Sequence, residues 1–275
     1  MSPEDGPSGA LPMYERLADA IRSSRPAALA TVVHGPHTGA KLLLTDGEID
    51  GTMGDPDLDR VVSRDLAGEL AAATSGVRHY GPHGEAGEDD VWVFIETFCP
   101  PPRMLIFGAV DFSGALVRVA KVLGYHVVLC DAREMFATRR RFPLADEVIV
   151  DWPHRLVERI GSTLGPTDAI CVLTHDHKFD VPAIVAALGT GVGYLGAMGS
   201  RRTAAERRRL LLEAAVDERD LERLMAPIGL DLGSRTPEET AIAICAEIIA
   251  LRTGRTAASL RNSNGPLHAQ TGATP

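Results

Sequence analysis

Apolar positions recur along this chain in two alternating rhythms. Met13, Leu17 and Ile21, with Tyr14 and Ala18 between them, return every three or four residues and predict a helix that closes near Arg25 and Pro26. Residues 27–34 and 40–45 predict strands, the second ended by the Asp46-Gly47 turn. Asp55-Pro56 supplies an aspartate cap followed by a proline at the first helical position. Leu58, Val62, Leu66 and Leu70 then mark the buried face of a second helix. An acidic loop at 84–90 leads into a strong strand at 91–98. These elements predict a small α/β domain over residues 11–99, preceded by a Pro/Gly/Ser-rich, disordered stretch at 1–10.

Pro100, Pro101 and Pro102 cannot join a helix or a central strand, so 100–102 reads as a stiff linker. Beyond it the rhythm changes. Short apolar strands at 104–107, 126–130, 147–150, 169–173 and 193–197 alternate with helices at 114–124, 153–164, 181–188, 203–215 and 236–252. That alternation predicts a doubly wound parallel sheet covered on both faces, over residues 103–254. The Ser/Thr/Asn/Gly-rich tail at 255–275 is expected to be disordered.

Charge sharpens the division. Residues 1–100 carry 7 basic and 17 acidic side chains, whereas 101–275 carry 21 and 20. An acidic first part does not suit nucleic acid or an anionic membrane, while a near-neutral second part can still hold a local anion site. Only Lys41, Lys121 and Lys178 among the 28 basic residues are lysine, a bias read as genome composition. No apolar run approaches the roughly 18 residues that span a bilayer. The acidic N-terminus lacks a basic segment leading into an apolar one, as a secretory signal requires. Cys99, Cys130, Cys171 and Cys245 are scattered without a CxxC pair, which fits a reducing cytoplasm better than a disulfide scaffold or a zinc site.

Three segments carry candidate chemistry. The run from Met104 to Leu116 has the strand–turn–helix placement of a dinucleotide fingerprint, and Asp131 closes the next strand 23 residues after Gly108. Its second and third glycine positions hold Val110 and Ser113. A Cβ at Val110 would press on a pyrophosphate, so NAD(P) fits this turn poorly. Thr174, His175 and Asp176, in the stretch THDHKFD at 174–180, follow a strand, where such sheets bind ligands; capping, ligand contact and metal ligation remain open readings. Gly199, Ser200, Arg201 and Arg202 combine a small-residue turn, a helix start and two guanidiniums, which together suit a phosphate. The alternative there is a cap with solvated arginines that continue through Arg207, Arg208 and Arg209. Gly229, Asp231 and Gly233 precede a capping box at Thr236 and Glu239, and suggest a backbone drawn close to another element or a ligand. Cys130 beside Asp131 is the cysteine with a chance of being reactive.

These stretches resemble the XdhC/CoxI family of accessory proteins for molybdenum hydroxylases. The carriers are THDHKFD at 174–180, YLGAMGSRRT at 194–203, PIGLDLGSRTPEETAIAICAEI at 227–248 and VVLCDAREMFATRRRFPLADEVIVDWPH at 127–154. FGAVDF at 107–112 is similar to the branch near carbon monoxide dehydrogenase maturation proteins. The resemblance implies a small N-terminal α/β domain followed by a Rossmann-like domain. It also implies a non-catalytic chaperone that transiently binds the molybdenum cofactor, as molybdopterin or its dinucleotide. Such a protein assists sulfuration with a cysteine desulfurase and delivers the cofactor to a xanthine dehydrogenase- or CO dehydrogenase-type client, with a homodimer left open. The expected cofactor-binding residues are Gly108, Asp111, Ser113, Asp131, Arg133, Thr174, His175, Asp176, Gly199, Ser200, Arg201 and Arg202, with no catalytic residue and no metal ligand. Residues 51–59, GTMGDPDLD, lack the cysteine that many members carry there. An NAD(P)-dependent oxidoreductase and a ligand-free Rossmann scaffold for protein binding are the alternatives.

Overall fold

The computed structural model describes residues 12–262, so the stretches predicted as disordered at 1–10 and 263–275 lie outside the described residues. Residues 255–262 of the predicted tail are exposed and end in a 3-10 turn at Leu260–Asn262. The chain separates into two units, one ending at Pro100 and the other starting at Pro101.

The first unit runs α1 (Met13–Arg22), β1 (Ala27–His34), β2 (Lys41–Thr45), β3 (Glu48–Thr52), α2 (Pro56–Ala72), β4 (Gly76–Tyr80) and β5 (Val91–Phe98). Its sheet is antiparallel throughout, in the order β3-β2-β1-β5-β4. The apolar rhythm does not reveal β3 and β4. Both are edge strands whose side chains are largely outside the core, so neither carries a clean alternation. Helix α2 starts where the Asp55 side chain accepts the amides of Asp57 and Leu58, both at 3.0 Å. It buries Leu58, Val62 and Leu66 against Ala28, Ala30, Val32, Val93 and Ile95 of the sheet.

The second unit is β6 (Arg103–Phe107), α3 (Asp111–Val122), β7 (His126–Cys130), β8 (Glu147–Ile149), α4 (Pro153–Ile160), β9 (Ala169–Val172), α5 (His177–Leu188), β10 (Tyr194–Ala197), α6 (Arg201–Glu213), α7 (Glu218–Leu221), β11 (Leu224–Met225) and α8 (Pro237–Thr253). Its six strands are parallel, in the order β11-β10-β9-β6-β7-β8. The chain winds outward from β6 to one edge, then returns to β9 and winds to the other. This is a doubly wound Rossmann sheet with its switch point between β6 and β9.

Alternation along β6 divides the core into two layers. Met104 and Ile106 meet Leu116 and Ala120 of α3 and Ile244 and Ile248 of α8. Leu105 and Phe107 face the other layer, with Leu156 of α4, Ile184 of α5 and Leu211 of α6. Each aliphatic side chain so removed from water contributes about 1.5–3 kcal/mol.

Three helices start earlier than the sequence expectation. Helix α3 begins at Asp111 instead of 114, α5 at His177 instead of 181, and α6 at Arg201 instead of 203. The apolar rhythm starts late because the opening turns are polar and two are fixed by caps. Asp176 accepts the Lys178 amide at 3.0 Å, and Ser200 accepts the Thr203 amide at 3.1 Å. Pro182 consequently lies inside α5.

Candidate functional site

Parallel strands deliver their following loops to one edge, where the N-termini of α3, α5 and α6 also gather. Gly108 turns the chain out of β6 with φ +110°. A Cβ there would stand 2.7 Å from the Thr174 methyl carbon and 3.1 Å from the Thr174 amide nitrogen, so glycine alone lets the two loops lie together. Ser113 is fully buried: its hydroxyl donates to the Gly108 carbonyl and accepts the Val110 amide at 3.4 Å. It closes the turn from within. Asp111 is exposed, with Arg141 at 3.8 Å.

Asp131 is 3% exposed and fully engaged by the protein itself. One oxygen accepts the Arg133 amide and Nε, both at 2.9 Å; the other accepts the Ala109 amide and Arg133 Nη2, both at 2.7 Å. Burial pushes this carboxyl up, but the hydrogen bonds from Arg133 and the two amides outweigh it and hold it below its ordinary value. A ligand hydroxyl reaches Asp131 only if the Arg133 guanidinium swings aside. Arg133 also covers the Phe136 ring at 4.6 Å, and Arg141 stands 5.5 Å from the same centroid while donating to the Ala109 carbonyl at 3.3 Å. Phe136 and Arg141 lie in a loop with no periodic signal, so sequence reasoning had no handle on their place beside the turn.

The neighbouring loop places its residues differently. Thr174 is buried, with its hydroxyl on the Asp180 carboxylate, and Asp176 caps α5. His175 is exposed. Asp180 and Arg207 are both 0% exposed and paired at 2.8 Å, and Arg207 also donates to the Met198 carbonyl at 2.9 Å. The alternative that grouped Arg207 with solvated arginines is therefore corrected: it packs inward because Asp180 and Met198 give its guanidinium acceptors. Cys130 is buried and donates to the Asp151 carbonyl at 3.3 Å. Burial, then the charges of Asp151 and Asp131, push its thiol up to about 12, away from the thiolate form that a reactive cysteine needs.

A cleft of about 460 Å³ opens at this edge, lined by Phe112, His175, Met198, Gly199, Ser200, Thr240, Ala243 and the loop Ile228, Leu230, Asp231, Leu232, Gly233 and Ser234. Gly199 has φ +152°, and a Cβ on it would crowd Thr203 at 3.0 Å. Gly229 has φ +93°, and a Cβ on it would stand 3.2 Å from the Ala243 carbonyl carbon of α8, so glycine lets this loop lie against the helix. Its amide donates to Glu247 at 2.9 Å. Of the expected residues, the structure thus gathers His175, Gly199 and Ser200 around one cleft. Arg201 instead lines a second hollow of about 410 Å³ on α6, with Ala204, Arg208, Leu224 and Pro227 among its neighbours. Arg201 and Arg202 are exposed and make no hydrogen bond or ion pair among the described residues. Among those residues no group of three His, Cys, Asp or Glu side chains is placed to hold a metal, and no helix is long and apolar enough to cross a membrane.

The fold is a Rossmann-type domain with a cleft at the carboxyl edge of its parallel sheet, preceded in the chain by a small antiparallel α/β unit. Residues 104–248 match the XdhC Rossmann domain and residues 20–81 match the domain described as XdhC and CoxI family. The chain belongs to the XdhC/CoxI family. It is 26% identical over 239 residues to a probable xanthine dehydrogenase subunit of Bacillus subtilis, covering 87% of this chain and 64% of that protein. It is 26% identical over 156 residues to the molybdenum cofactor insertion chaperone PaoD of Escherichia coli, covering 56% of this chain and 42% of PaoD. The chain thus spans less than two thirds of the length of these relatives. A crystal structure of a xanthine dehydrogenase from Bacillus halodurans shares the fold, with a TM-score of 0.53 and 21% identity over 90% of this chain and 98% of that one.

Proposed function

We propose that this protein binds the molybdenum cofactor as cargo in the cleft at the carboxyl edge of its parallel sheet and hands it to a molybdenum hydroxylase apoenzyme. The observation that carries the reading is the make-up of the cleft. Phe112, Ile228, Leu230 and Leu232 supply apolar surface for a flat heterocycle, and His175, Asp231 and Ser234 supply polar edges. Gly199 and Ser200 open the first turn of α6, where Ser200 caps the Thr203 amide and the Arg201 and Arg202 amides have no helical acceptor and favour a phosphate. The role of its relative PaoD, insertion of molybdenum cofactor, supports the same reading.

The client is a xanthine dehydrogenase- or CO dehydrogenase-type enzyme. Cys130 is buried with its thiol donating to the Asp151 carbonyl, and in this reading sulfur for the cofactor comes from a partner desulfurase, as the family resemblance implies. The strand order would also accommodate a dinucleotide, but Asp131 is already saturated by Arg133 and Ala109, which disfavours an NAD(P) ribose there.

Titration of the purified protein with molybdopterin and with its dinucleotide tests the proposal. Saturable binding that His175→Ala and Ser234→Ala weaken is expected; no binding of either form overturns it. If the phosphate rests at the head of α6, Arg201→Ala weakens binding by about 1.5–3 kcal/mol. Unchanged affinity in calorimetry removes Arg201 from the site. In cells, deletion should leave the client folded but short of cofactor, and NAD(P)H-dependent turnover by the purified chain would favour an oxidoreductase instead.

A further inference from the structure

We infer that Asp180 and Arg207 are positioning residues, which with Thr174 form a buried polar chain that sets the spacing of the three loops around the cleft. The inference rests on reading that cleft as the cofactor site. The chain of contacts is continuous. The Thr174 methyl lies against Gly108, in the loop that follows β6. The Thr174 hydroxyl donates to one oxygen of Asp180, in the first turn of α5. The other Asp180 oxygen accepts Arg207 Nη2 at 2.8 Å, and the same nitrogen donates to the Met198 carbonyl at 2.9 Å. Met198 is the residue from which the Gly199–Ser200 wall of the cleft departs. One chain of side chains therefore touches the loops after β6, β9 and β10.

Stability alone does not explain why this chain is ionic. Both charged side chains are fully buried, and Arg207 Nε and Nη1 have no hydrogen-bond partner among the described residues. Burial pushes the Asp180 carboxyl above its ordinary value against the pull of Thr174 and Arg207. Well-packed apolar residues commonly match or exceed the stability of such a buried pair. What apolar packing cannot supply is direction. A hydrogen bond fails when its acceptor moves by an ångström, whereas a methyl group tolerates sliding, so the polar chain holds one arrangement of the loops.

The full chain with Asp180→Leu and Arg207→Met together separates the two roles. The test measures its unfolding midpoint, amide hydrogen exchange over 108–113, 174–178 and 198–203, and molybdopterin affinity. The expected result is an unfolding midpoint at or above that of the parent, exchange at least tenfold faster in all three loops, and affinity at least tenfold weaker. Loops as protected as in the parent overturn the inference. If the parent itself binds no molybdopterin, the cofactor reading fails while hydrogen exchange still decides the positioning role. Should the double variant not fold, Thr174→Val decides: it keeps a methyl against Gly108 and removes only the hydroxyl. Faster exchange over 108–113 and 174–178 then supports the chain, and unchanged exchange refutes it.

Discussion

At the scale of single residues, the site is governed by contacts of a few ångströms. Gly108→Ala places a Cβ 2.7 Å from the Thr174 methyl in a backbone conformation with positive φ. The variant should lose about 2–3 kcal/mol of stability, which urea unfolding will measure; a loss under about 0.5 kcal/mol would mean the two loops do not press together. Asp131→Asn tests the brace between the β7 end and the Gly108 turn. Because the folded carboxyl lies below its ordinary value, its contribution is present above the unfolded value and lost as pH falls through the folded one. Parent and variant should therefore differ by about 2 kcal/mol near pH 7 and converge only as pH falls below the unfolded carboxylate range and through the lowered folded value. A difference independent of pH would assign the effect to packing instead of charge. The cysteines give a third check. Cys99 is the exposed one, and Cys130, Cys171 and Cys245 are buried, so native protein should alkylate at Cys99 alone on the timescale of minutes. Mass spectrometry showing Cys130 modified as fast would reopen its role as a reactive thiol.

At the scale of elements, caps decide more than propensity does. The capping box predicted at Thr236 and Glu239 forms. Glu239 accepts the Thr236 amide at 3.0 Å, and Thr236 accepts the Glu239 amide at 3.2 Å. Helix α8 packs Ala241, Ile244 and Ile248 into the core layer that holds α3, and its first turns carry Thr240 and Ala243 of the cleft. Thr236→Ala should cost about 1 kcal/mol and loosen the start of α8 before the rest of the unit. Hydrogen exchange confined to the first turn would agree, and no change in stability would show the cap to be redundant with Pro237. The late starts expected for α5 and α6 have the same origin. Asp176 and Ser200 were recognisable as capping types, but choosing them over an apolar start needed the positions of the Lys178 and Thr203 amides.

At the scale of the molecule, each unit has its own core. The first is built on Val62, Leu66, Val93 and Ile95, the second on two layers about Leu105 and Ile106. A chain starting at Pro101 is therefore expected to fold cooperatively without the first unit. Single-transition unfolding followed by circular dichroism checks this, and a gradual transition with exposed apolar surface would contradict it. The acidic excess of residues 1–100 stays with the first unit, so the fragment should elute from an anion exchanger at lower salt than the full chain.

The amino-acid sequence by itself determined the strand–helix alternation, the doubly wound class, the break in character near Pro100 and the turn-forming roles of Gly108 and Gly199. Each is a local consequence of apolar period, proline geometry or a glycine at the end of an apolar strand. The edge strands β3, β4 and β11 escaped that reading because exposed or very short strands carry little periodic signal. Only the tertiary structure decided which polar groups are engaged by the protein itself and which line the cleft. Ser113, Asp131 and Thr174 look alike in sequence to residues that bind a cofactor. Their hydrogen bonds go instead to the Gly108 carbonyl, to Arg133 and to Asp180. Arg207, one of three successive arginines, is the buried one because its partners, Asp180 and Met198, arrive from elements 27 and 9 residues away. A side chain's local pattern gives the face of a helix on which it lies. The acceptor it meets is set by how strands order themselves in the sheet, and that is a property of the whole fold.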